Sequence, residues 1–173
     1  MEIRRLTTQD DRRGFRSGDL DLDRFFERYA GQNQFSHHVG VTYVAVDPRQ
    51  IVGFATVAAG SIEILQLPPA LSRRLPHYPL PVLRLARLAV DQAFQGQGIA
   101  AALLRFVLHL AADQADALGC VGVLVDAKPG AKSLYERFGF VALEVTDGAS
   151  ETRPAPTPLF LPIDTVRRAR PRT

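Results

Sequence analysis

Residues 95–100 read Gln95-Gly96-Gln97-Gly98-Ile99-Ala100, with a strand-like run before them and an apolar helical pattern after them. A tight turn would need one of the two glycines; a bound anion would use both. The free amides of a first helical turn, together with the helix dipole, make a ready anion site. Gly96 and Gly98 let phosphate oxygens approach with no Cβ in the way, and Ala100 keeps the first turn slim. Two other nucleotide loops are excluded. There is no GxxxxGK(S/T), and GxGxxG would need glycine where Ala101 stands. The residues alone leave a turn and a phosphate cradle both open.

The elements around this loop come from one modest chain. With 173 residues and 46% hydrophobic content, it can bury one core. No apolar run reaches the roughly 18–20 residues of a membrane span, and MEIRRLTTQDDRR has no apolar signal core. A cytoplasmic protein with no membrane partner is the expectation. Cys120, the only cysteine, sits in the apolar run CVGVLV and reads as a buried strand thiol in a reducing compartment. No Cys/His cluster has zinc spacing, so no metal is expected. The net charge is +3, and Lys128 and Lys132 are the only lysines. Arginines gather in RRARPRT at the C-terminus and as Arg73 and Arg74 in LSRRLPH. Codon bias explains such an excess, and so does bidentate contact with phosphate.

Periodicity places a helix over 20–32, with Leu22, Phe25, Phe26 and Tyr29 on its apolar face and Ser17 or Asp19 as cap. GVTYVAVD (40–47), the turn DPRQ and IVGFATVAAGSIEI (51–64) form a hairpin. Five prolines in 66–81 predict an irregular excursion. LRLARLAVD (83–91) is the next strand. From Gln97 the stripe Ile99, Leu103, Phe106, Val107 and Leu110 predicts a long helix closed by Gly119. CVGVLVDA (120–127) is a strand buried on both faces. Pro129-Gly130 precedes a short helix AKSLYERF ended by Gly139, and FVALEV and PLFLPI supply closing strands around a polar loop at 147–158. The class is α/β (α+β) with a mixed sheet.

Gln95 to Ala100, preceded by LARLAVD, resembles the Q/R-x-x-G-x-G/A pyrophosphate loop of the GNAT N-acetyltransferases. KSLYERFGF, about 35 residues on, resembles that family's closing signature, and the match covers residues 1 to about 165. FRSGDLDLDRFFERYAGQN is similar to the opening of the toxin-like subgroup encoded beside small DNA-binding antitoxins. The resemblance implies one GNAT domain over 1–165 with a basic tail at 166–173. Its fold would be a mixed central sheet of six to seven strands, splayed centrally to hold acetyl-CoA and flanked by helices. It implies that Leu88, Ala89 and Val90, with GVLVDA opposite, pair with the pantetheine arm. Gln95, Gly96, Gln97, Gly98, Ile99 and Ala100 would hold the pyrophosphate, and Tyr135 would protonate the departing thiolate. Ser133 stands where many members carry an asparagine that contacts CoA. Family habit also implies a homodimer.

Transfer requires a neutral amine, a stabilised oxyanion and a proton for the thiolate. Many GNATs carry a glutamate base on the strand before the loop; here that strand's charged residues are Arg84 and Arg87. Asp91 suits a cap, Glu63 a solvated charge, and His37 and His38 are of a residue type suited to base work but read as loop surface. An ordered water is the expected base, and Arg87 suits either an acceptor phosphate or an ion pair. Three functions are carried forward. The first is an acetyltransferase acting on the α-amine of aminoacyl-tRNA, with a small DNA-binding antitoxin as partner. The second is a housekeeping GNAT acting on a small or protein amine. The third is a CoA-binding module without catalysis.

Overall fold

The computed structural model describes residues 1–143 and 156–169. In chain order the elements are β1 (Glu2–Arg5), α1 (Leu20–Arg24), β2 (Val41–Val46), β3 (Ile51–Ile62) and α2 (Pro69–Ser72). They continue as β4 (Leu80–Val90), α3 (Ile99–Ala117), β5 (Gly122–Ala127), α4 (Lys132–Arg137), β6 (Val141–Ala142), β7 (Thr157–Pro162) and α5 (Ile163–Arg168). Among the described residues seven strands form one mixed sheet, in the order β1-β2-β3-β4-β5-β7-β6. This is the class and strand count expected from the sequence.

The chain gathers into two compact units. The first comprises Met1–Ala58 and Leu85–Val107. Its core is aromatic: Phe54 of β3 stacks on Phe26 (4.4 Å, 6°) and receives Phe15 edge-on (5.4 Å, 65°). Such a cluster buries large areas and adds quadrupole contacts. The predicted helix at 20–32 is present but differs from its pattern. Asp19 caps it, accepting from the amides of Asp21 and Leu22, while Ser17 turns to Asp23 instead. Beyond α1 it widens into π-helical turns at Phe25–Tyr29 and Gln32–Ser36. Ala30 N donates to Phe25 O, five residues back, and this shifts the buried face by one position. Ala30 is therefore buried, and Tyr29, expected on the apolar face, is exposed. The second π turn is locked by Gln34, whose amide donates to Leu6 O (3.1 Å) and accepts from Thr42 N (2.9 Å).

β1 has no signal in the sequence because EIRR is mostly charged, yet it pairs antiparallel with β2 from Glu2↔Val46 to Arg5↔Tyr43. Charge suits an edge strand, where it discourages further pairing. Behind it Asp10 accepts two bonds from Arg4 (2.9 and 2.8 Å) and one each from Thr7 N and Oγ1. The Arg4 guanidinium, before the Thr7 bonds, pulls the Asp10 carboxyl down to about 2. A depressed carboxyl pKa stabilises the fold above its unfolded value and loses that contribution as pH falls through about 2. Asp10→Ala should therefore cost about 1–2 kcal/mol at neutral pH, allowing for solvent around Arg4. Urea midpoints of variant and wild type should converge as the pH is lowered towards 2.

The second unit comprises Ala59–Arg84 and Leu108–Thr173. Its cluster includes Ile62, Val82, Leu143 and Phe160. β5 pairs antiparallel with β7 from Gly122↔Pro162 to Ala127↔Thr157. The buried Cys120 precedes β5 rather than lying in it, its thiol donating to Gly122 O (3.2 Å). Burial pushes that thiol's pKa up, which favours an inert thiol. The 66–81 segment is irregular as expected, apart from its last two residues, which already belong to β4, and the single turn α2, which begins at a proline whose missing N–H costs nothing there. β6 is two residues long where FVALEV suggested six, and the rest of that run falls partly outside the described residues. The polar loop lies mostly outside them too, as do Arg170 and Arg172 of the basic tail. The tail's first residues complete α5, whose Arg167 pairs with Asp116 (2.7 Å).

Candidate active site

β4 delivers the loop. At its end Asp91 N donates to Val52 O (2.8 Å), and the Asp91 carboxylate caps a 3₁₀ turn, Gln92–Phe94, through Ala93 N (3.0 Å). Capping is the role its position in the sequence suggested. Gln95 is extended, and Gly96 and Gly98 sit at φ 79° and 82°, a region that strains other L residues. Gly98 O accepts the first helical bond from Ala102 N (3.0 Å), so the amides of the next turn have no acceptor within α3. A Cβ built at Gly96 or Gly98 would meet no atom within 4 Å. The backbone is thus open on the side from which an anion would come, and the 19-residue α3 adds its dipole. The geometry fits a pyrophosphate. Ile99 is buried and anchors the turn, Ala100 is half-buried, and Gln97 is exposed. Leu88 and Val90 on β4 are half-buried and Ala89 is buried.

In the second unit α4 carries Tyr135, which is 4% exposed and packs edge-on against Phe140 (5.4 Å, 67°). The chain closes over it, since Phe138 N and Phe140 N both donate to Tyr135 O. Burial pushes the phenol up to about 12, so its proton is held throughout the neutral range. Ser133, two residues earlier and therefore on another face of the helix, is exposed.

The sequence profile of the acetyltransferase (GNAT) domain matches residues 38–142, more than half of the chain. The chain belongs to the GNAT acetyltransferase family. It is 34% identical over 140 residues to a tRNA-acetylating toxin of Mycobacterium tuberculosis, covering 79% of this chain and 82% of the relative. A probable toxin TacT of Sinorhizobium fredii is 29% identical over 167 residues, covering 91% and 87%. Among solved structures, a mutant of KacT superposes with a TM-score of 0.83 at 25% identity, over 96% of this chain and 97% of that one. AtaT complexed with acetyl-methionyl-tRNAfMet gives the same TM-score and coverage at 24% identity, a likeness of fold.

For a GNAT acetyltransferase the remaining polar candidates sort by their contacts. Glu63 is exposed, its backbone amide capped by Gln66 Oε1 (3.0 Å). His37 and His38 are exposed at the end of the helical segment. Arg84 pairs with Asp126 (2.8 Å), and the Arg87 guanidinium lies 3.6 Å above the Phe25 ring, a cation–π contact that the sequence did not suggest. A polar cleft of about 410 Å³ in the first unit is lined by Arg4, Arg13 and Arg49. Arg4 and Arg13 are already paired with Asp10 and Asp11, which compensates much of the charge an anion would seek. Sequence reasoning gave residues 15–18 no place in the site, although they bond to Asp91, Gln92 and Gln95 ahead of the two glycines; the signals there were the FRSGD opening and the Ser-Gly pair before a helix cap.

Proposed function

We propose that this cytoplasmic acetyltransferase moves the acetyl group of acetyl-CoA to the α-amine of aminoacyl-tRNA, as the toxin of a pair with a small DNA-binding antitoxin. The observation that carries the acceptor is the 34% identity to a tRNA-acetylating toxin over most of both chains. The open, doubly glycine-bent loop at the start of α3 supports acetyl-CoA as donor, because amides and a helix dipole suit a pyrophosphate.

In this reading the amides following Gly98 hold the pyrophosphate and the β4 backbone at Leu88–Val90 holds the pantetheine arm. Acetyl-CoA, when bound, supplies an acetyl group activated as a thioester. The amine must arrive neutral: its nitrogen bonds to the carbonyl carbon, the C–S bond breaks, and the amine's surplus proton leaves to water. Tyr135 Oη, protonated at neutral pH with a pKa of about 12, gives its proton to the departing sulfur and takes one back from the water that received the amine's surplus proton. A buried phenol suits a reaction that must keep water from the thioester.

Purified chain, acetyl-CoA and total charged tRNA should yield acetylated aminoacyl ends, read by mass analysis of the released aminoacyl-adenosines. Turnover on an amine panel with every aminoacyl-tRNA unmodified would overturn the acceptor and favour a housekeeping acetyltransferase.

A further inference from the structure

Residues 15–18 are tied down on both sides. On one, the buried Phe15 lies edge-on to Phe26 (5.1 Å) and Phe54 (5.4 Å), and Ser17 donates through N (2.9 Å) and Oγ (2.7 Å) to the buried carboxylate of Asp23. On the other, Arg16 N donates to Asp91 Oδ2 (3.1 Å) and Arg16 O accepts from Gln92 N (2.7 Å). Gln95 closes the arrangement, its Nε2 donating to Ser17 O (3.0 Å) and to Val90 O (3.1 Å). An amide nitrogen has two protons, so both are engaged by carbonyls and neither is left for a phosphate oxygen. Gly18 completes the fit: its φ is +96°, and a Cβ there would lie 2.7 Å from Gln92 Nε2.

We infer that residues 15–18 are a strap that sets the shape of the loop from Asp91 to Gly98. Gln95 is a positioning residue that acts on CoA through this strap rather than by touching it. The inference rests on the reading of residues 95–100 as the pyrophosphate cradle. It makes FRSGD and a loop more than 70 residues away one hydrogen-bonded unit.

The test is calorimetric titration of the full chain with CoA, alongside thermal unfolding of each variant. Gln95→Ala should weaken CoA about tenfold, the size of one or two lost hydrogen bonds, in protein that still melts cooperatively near the wild-type temperature. Asp23→Ala, which loosens the strap from its far side, should also weaken CoA; Ser17→Ala replaces it if that variant does not fold. The double variant should be no more than about twofold weaker than the worse single one, because both act through the same strap. Multiplying effects would make Gln95 an independent ligand contact and overturn the proposal, as would wild-type affinity in Gln95→Ala. Gly98→Val separates the two readings. If it abolishes CoA binding while Gln95→Ala does not alter it, only the strap fails. If Gly98→Val binds CoA normally, the cradle fails and the strap with it.

Discussion

Tyr135→Phe should slow acetyl transfer by about 100- to 10,000-fold, the usual contribution of a positioned general acid, and leave the fold intact. The substitution keeps the ring that packs on Phe140 and removes only Oη, so the neutral-pH unfolding free energy should move by no more than about 1 kcal/mol. CoA affinity should be nearly unchanged, because in the proposed mechanism the lost group acts only on the sulfur as it departs. The pH dependence separates chemistry from packing. The folded-state pKa of about 12 lies above the ordinary phenol value, so burial favours the neutral form. That stability is fully present below the unfolded pKa and is lost as pH rises through about 12. Phenylalanine cannot ionise, so the variant should resist alkaline unfolding better than wild type while being catalytically poor at every pH. Single-turnover transfer and urea unfolding at neutral and alkaline pH measure both. A variant that transfers at the wild-type rate would remove Tyr135 from the chemistry.

What the sequence exposes here is local, and what it hides is long-range. The loop is legible because Gly96 and Gly98 break one period just as Ile99 and Leu103 begin another, and α3 follows that stripe. The β2–β3 hairpin is equally plain, since its turn residues stand between two β-branched runs. Gln95 is visible by type, but the direction of its amide is set by Ser17 O, 78 positions away, and no pattern along the chain encodes that. The same holds for Arg16 and Asp91, 75 apart. The place of Arg87 over Phe25 depends on which residues of the helical segment turn inward. Those residues were displaced from the 3.6-residue pattern by the π turns, whose i→i+5 bonds give no compositional signal. β1 and α5 were missed because charged EIRR and IDTVRR each show little apolar face, although Val166 of α5 is buried.

Phe54→Ala should give the largest loss of stability and should also reach the loop from Asp91 to Gly98. Phe54 is fully buried and touches three other rings: Phe26 stacked, Phe15 edge-on and Phe25 tilted at 6.4 Å. Truncating a buried phenylalanine typically costs about 3–5 kcal/mol, a large part of the roughly 5–15 kcal/mol that holds a domain together. Phe54→Leu keeps part of the volume and should cost less, leaving enough folded protein to titrate. Because Phe15 anchors the strap against this ring, the folded Phe54→Leu protein should bind CoA more weakly than wild type. Leu159→Ala empties a comparably buried position of the second unit's β7 and should lower the melting temperature without changing CoA affinity. If both variants lost stability and neither lost affinity, the aromatic core would support the first unit but not the loop. If only Phe54→Leu lost affinity, the path from ring to strap to phosphate loop would be carrying the effect, since core packing alone would act equally on both.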